Sequence, residues 1–266
     1  MSRLIRILTI VAAFAAAKAA RGQIMSNPTQ WYVNNQIYSM RVFNSAVANS
    51  MVTRGAGASG TARPAAPADD PTVFREQATS TIPSLLSGNS TGISRTPAEA
   101  RQLFEGYIAL YRQTAQKDGF PSNDLAYAFG YFVVNNYQIV HDLVDVPYEK
   151  DPRAKRGTDG FDRITIMRQK KLLQVTPAQE RAVFMQFRVR LAHNAGIRRM
   201  TDAQKQEAAE LMATMFGINF AAYMKAIDSG NAAELETAHA MARQGLEKLL
   251  GVPMARIRIT NSGLEL

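Results

Sequence analysis

No cysteine occurs in the 266 residues, which removes disulfides, thiolate nucleophiles, iron–sulfur clusters and cysteine-type zinc sites together. Histidine occurs three times, so only His141, His193 and His239 are available as proton shuttles near neutral pH or as nitrogen ligands. HExxH and a Walker loop are missing. The glycine-rich stretch from Gly55 to Gly60 neither follows a strand nor opens a helix. Glu99, Glu105 and Asp118 have the spacing of surface carboxylates, not of an acid/base pair for glycoside chemistry. The sequence therefore points to no catalytic residue, no cofactor site and no metal site, and stability has to come from packing alone.

Long apolar runs are scarce as well. The clearest is Ile7 to Ala17, eleven residues behind Arg3 and Arg6 and ahead of the small-x-small pattern Ala17-Lys18-Ala19. A bilayer span needs about 20 such residues, so this order reads as a cleavable secretory signal peptide. Cleavage falls after Ala19 or, at the second small-residue pattern, after Gly22. The expected mature chain is periplasmic or secreted and has no transmembrane span.

The sequence carries 31 Lys+Arg against 22 Asp+Glu, a formal +9. Removing residues 1–19 takes away Arg3, Arg6 and Lys18 and leaves +6. Residues 150–199 hold 13 basic and four acidic side chains, a local +9, so the rest of the mature chain is mildly acidic at −3. Basicity belongs to one segment. An anionic envelope component or a protein partner suits an exported chain better than nucleic acid, and the interleaved aromatic and basic residues of an RNA-binding module are missing.

Residues 20–52 form an N-terminal arm rich in Asn and aromatics. Val33, Ile37 and Met40 keep a helical spacing, while Asn34, Asn35 and Asn49 oppose it. Residues 53–95, rich in Gly, Ala, Pro and Ser, read as a flexible linker with little to bury. From Thr96 onward four segments open alike: Thr96-Pro-Ala-Glu99, Thr176-Pro-Ala-Gln179, Thr201-Asp-Ala-Gln204 and Asn231-Ala-Ala-Glu234. Each puts a side-chain oxygen at the N-cap and Glu or Gln at N3, the pattern of a capping box. A fifth helix is expected from about Asp124 to Asp145, apolar nearly all round and hence central. Gly217 marks a close helix crossing, Gly119 and Gly251 mark helix stops, and the alternating tail from Arg256 to Ile259 reads as extended chain. The expected fold is an all-α bundle of about five main helices over residues 96–266.

The stretches YIALYRQTAQKDGFPSNDLAYAFGYFVVNNY, TPAQERAVFMQFR and LEKLLGVPMARIRITNSGL, in that order, resemble an uncharacterised bacterial secreted family catalogued as domain of unknown function 6683. The likeness covers roughly residues 96–264, and the loop from Val146 to Val175 departs from it in length and basicity. What the resemblance implies is a secreted helical domain; it brings no activity, cofactor or catalytic residue.

Two sets of residues remain as candidates. His141, Asp142 and Asp145 cluster at the end of the helix expected over 124–145, either as its polar terminus or as the seed of a dispersed active site. The basic segment offers an anion-binding patch of Arg153, Lys155, Arg156, Lys170, Lys171, Arg181, Arg188, Arg190, Arg198 and Arg199. Arginines beside the Phe184, Phe187 and Leu191 stripe suit a solvated bundle face and equally an interfacial helix on an anionic surface. Asn135 and Asn136, inside an apolar helix, are expected to fix helix register or to bind a polar ligand. The expectation is thus a non-enzymatic exported helical domain with a binding or structural role at the cell envelope; the alternative is an enzyme around His141, Asp142 and Asp145.

Overall fold

The computed structural model describes residues 70–88, 94, 96–144 and 175–266. Seven α-helices lie among them: α1 (Ile82–Ser87), α2 (Pro97–Asp118), α3 (Leu125–Val140), α4 (Pro177–Ala192), α5 (Ala195–Arg199), α6 (Asp202–Ser229) and α7 (Ala232–Leu250). A 3-10 turn at Met254–Arg256 leads into an antiparallel hairpin of β1 (Arg258–Thr260) and β2 (Gly263–Glu265). The fold is all-α, with the five long helices expected from the sequence and two short ones added. The signal segment, the N-terminal arm and residues 145–174 lie outside the described residues.

Local chemistry sets the helix starts. Thr96, Thr176 and Thr201 each accept the backbone N–H of N3, and the N3 side chain returns to the threonine backbone. Each box satisfies two orphan amides, and the threonine oxygen alone stabilises its helix by ~1 kcal/mol. Asn231 caps α7 through the N–H groups of Ala233 and Glu234. Its expected box does not close, because the Glu234 carboxylate goes to Lys225 Nζ at 2.9 Å and to Ser229. A charged donor competes better for a carboxylate than a neutral amide does.

Twelve of the sixteen residues of α3 are buried, and α4, α6 and α7 pack around it. Its tyrosines join an aromatic column: Tyr131 meets Tyr111 of α2 at 5.1 Å and Phe216 of α6 at 5.0 Å, both edge-on. Such contacts add about 0.5–1.5 kcal/mol each beyond area burial. Gly217 sits at the crossing of α6 and α2, where a Cβ would lie 2.3 Å from the Tyr107 ring. Asn136 fixes register, accepting from Asn219 Nδ2 at 2.7 Å and donating to the Phe132 carbonyl, whereas Asn135 donates to Tyr131 of its own helix.

Two sequence expectations change here. Residues 70–88, read as flexible linker, are packed on the bundle: Phe74, Ile82 and Leu86 are buried in the core. Phe74 N–H donates to the Asn123 carbonyl and Leu125 N–H to that of Thr72, stitching this segment to the start of α3. Helix α3 also ends at Val140, short of Asp145, because Asp142 adopts φ 51° and leaves the helical path. The tail behaves as expected. The amide of Gln186 on α4 both donates to the Leu264 carbonyl (2.8 Å) and accepts its N–H (2.6 Å), holding β2 against the bundle.

Candidate functional site

The two ends of α3 carry the molecule's charged side-chain clusters of most chemical interest. At the N-terminal end Asp124 is fully buried, and its Oδ1 caps the helix by accepting Ala126 N–H at 2.8 Å. Its Oδ2 has no hydrogen-bond partner and lies 3.8 Å from Arg188 Nε. Arg188 pairs directly with Asp70, which also takes the backbone and hydroxyl of Thr72 at 2.9 and 2.7 Å. Burial pushes Asp70 up, yet the Thr72 bonds and the guanidinium together hold it below its ordinary range. For Asp124 burial prevails and its carboxyl is raised despite Thr72, Ala126 and Arg188. Arg188 is therefore an internal counterion between α4 and the 70–74 segment, which corrects its place in the anion-binding patch.

At the C-terminal end the left-handed Asp142 costs about 1–2 kcal/mol of backbone strain. Its Oδ1 accepts Tyr223 Oη from α6 at 3.1 Å and stands 2.9 Å from His239 Nε2 on α7. Donation to this carboxylate oxygen uses the Nε2–H tautomer of the ring. Nδ1 of the same ring lies 4.0 Å from Glu236, which in turn is 3.9 Å from Arg243. Asp142 thus ties three helices together and orients the His239 imidazole. The partners are carboxylates and a phenol, with no alcohol nucleophile among them.

His141 stands within electrostatic reach of Asp142 and His239 without a side-chain hydrogen bond to either. It caps α3 from the outside, with its ring 4.3 Å from Tyr137, and partial desolvation lowers its pKa against the opposing charge of Asp142. Asp145 lies outside the described residues. Sequence reasoning grouped His141, Asp142 and Asp145 at one helix end and missed His239, 97 residues from Asp142.

The anion-binding candidates divide three ways. Arg153, Lys155, Arg156, Lys170 and Lys171 lie outside the described residues. Arg181 is exposed and sits 5.1 Å over the Phe120 ring, a cation–π contact. Arg190, Arg198 and Arg199 are exposed at the ends of α4 and α5, and no ion pair holds them among the described residues. Val189, 49% exposed, and exposed His193 lie beside Arg190 on the last turn of α4. Charges at helix C-termini also complement the helix dipole by about 0.3–1 kcal/mol.

A third cluster escaped the sequence reading. Glu210 on α6 is buried; it accepts Ser80 Oγ, Gln206 Nε2 (2.9 Å) and Arg112 of α2 (3.3 Å), and burial raises its pKa. The available signal was Gln206 and Glu210 at i and i+4 on the apolar side of α6. The cluster anchors the 75–81 segment, since Gln77 N–H donates to Gln206.

Among the described residues no group of three or more His, Asp or Glu side chains is placed to hold a metal ion, and no helix is long and apolar enough to cross a membrane. No curated protein and no solved structure matches the chain. A family described as Family of unknown function (DUF6683) does, over residues 1–152 and 169–266. Residues 153–168, with Arg153, Lys155 and Arg156, fall between the two matched stretches. By this match over nearly its whole length, the chain belongs to that family of unknown function.

Proposed function

We propose that the chain is an exported helical binding module of the bacterial cell envelope, without catalysis of its own, which meets an anionic partner through one basic face. Arg190, Arg198 and Arg199 are the described residues of that face, and the segment 150–174 adds positive charge in sequence. The observation that carries the reading is the contrast among the arginines: Arg188 is consumed internally by Asp70, whereas these three are exposed with no ion pair among the described residues, Arg190 next to exposed Val189. Guanidinium groups next to an apolar side chain suit phosphate-bearing amphiphiles such as anionic lipid or lipopolysaccharide. The basic 153–168 stretch lies outside the family match, so it adds charge to a framework that the family defines without it.

Partition onto anionic vesicles, compared with zwitterionic ones, tests the reading. Binding should weaken with salt and fall at least tenfold when Arg190, Arg198 and Arg199 become Glu, and further when Arg153, Lys155 and Arg156 are reversed. Equal binding by wild type and the reversed variants would overturn it. Export is checked by mass spectrometry, which should find a mature N-terminus near Ala20 or Gln23.

The Asp142–His239 pair with Tyr223 favours a second reading, an enzyme whose general base is His239. Its test is turnover of a panel of ester and glycoside substrates at neutral pH. A rate unchanged by His239→Ala removes it.

A further inference from the structure

Where α1 meets the start of α6, a groove of about 480 Å³ opens on the surface. Ile82, Leu86 and Leu211, all buried, form its floor; Ser84 and Glu207 stand at its rim. Leu85 also lines it and is 41% exposed, one of two large apolar side chains so open among the described residues. The floor is already buried, so Leu85, left standing in water beside the opening, is what marks the groove as a docking surface.

We propose that this groove receives the chain's own N-terminal arm, residues 24–52, laid in as an amphipathic helix. The arm has the matching chemistry. Val33, Ile37 and Met40 fall at i, i+4 and i+7, the anchor spacing of a helix set into an apolar groove. Its only charged residue is Arg41, and it has no Asp or Glu, which suits a rim bearing the Glu207 carboxylate. Connection is no obstacle: 17 residues separate Val52 from Asp70, and extended chain of that length reaches up to about 55 Å. The family match covers the arm and α1 in its stretch 1–152 and Glu207 and Leu211 in its stretch 169–266, so arm and groove both belong to the family. Tethering raises the arm's effective concentration to the millimolar range, which favours it over the arm of a second copy.

Trp31, the single tryptophan, lies in the arm and reports on its surroundings. In the full mature chain its emission should be blue-shifted relative to the chain in urea, and acrylamide should quench it several-fold less. Leu85→Arg, at an exposed position, should return both readings to the urea values while far-UV circular dichroism keeps the bundle's helix signal. Ile37→Asp in the arm should do the same. Glu207→Lys should loosen the arm, and combining it with Arg41→Glu should restore protection. Trp31 as open in the native chain as in urea would overturn the proposal. So would protection that Leu85→Arg leaves intact, which would place the arm elsewhere, or protection lost on dilution, which would assign the groove to a second copy.

Discussion

At the N-terminal end of α3 a guanidinium lies between two carboxylates with little solvent, and one of those carboxylates is wholly buried. At the C-terminal end a carboxylate on strained backbone, 23% exposed against 0% for Asp124, takes an imidazole and a phenol. The same helix therefore ends in a closed ion cluster and a half-open one. The closed cluster is scaffold: Arg188 cannot serve a partner without abandoning Asp70 and Asp124. The open one can tolerate change, since solvent can take over from a lost partner.

The comparison breaks most sharply at Arg188. Arg188→Ala leaves two carboxylates facing each other in a desolvated space and should cost about 3–5 kcal/mol in urea unfolding. A loss below ~1 kcal/mol would show that the closed end is as solvated as the open one. At the open end Asp142→Ala should cost about 1–3 kcal/mol, through the lost bonds to Tyr223 and His239 and an alanine held at positive φ. Asp142→Gly should cost less, because glycine adopts that backbone freely. Equal losses for the two variants would mean that strain plays no part.

Glu210 sharpens the contrast through pH. Its folded-state pKa is raised, so the folded chain holds this proton more tightly than the unfolded chain does. The corresponding stability is fully present below the ordinary carboxylate range and is lost as pH rises through the raised folded value. Urea midpoints across that range should show Glu210→Gln less sensitive to rising pH than wild type, and identical profiles would contradict the assignment. Asp70 works in the opposite sense: its lowered pKa gives stability above the ordinary range that disappears as pH falls through the folded value. The smallest stability change belongs to the exposed arginines. Replacing Arg190, Arg198 and Arg199 with Glu should shift stability by no more than about 0.5 kcal/mol per site.

What could be read from the sequence was what neighbouring residues decide. Threonine followed by Glu or Gln three places on fixed three helix starts, and glycine after Asp118 and Leu250 fixed two ends, because caps are made within one turn of chain. The apolar circumference of the 125–140 stretch marked the central helix for the same reason. Long-range pairing was not legible. Nothing near Arg188 distinguishes it from Arg181 or Arg190; Asp70, 118 residues away, does. The 70–88 segment looked like linker because Phe74, Ile82 and Leu86 are spread among polar residues, and their burial depends on α2, α3 and α6. The end of α3 was misplaced because Asp142 is drawn off the helix by His239 and Tyr223, from helices far along the chain.

The division of the arginines into structural and solvent-facing is the centre of this account, and the salt dependence of binding to anionic vesicles tests it most directly. Wild type should lose affinity steeply as salt rises, and the Arg190, Arg198 and Arg199→Glu variant should bind at least tenfold more weakly with a flatter dependence at unchanged stability. A variant that binds as tightly as wild type, with the same dependence on salt, would contradict it.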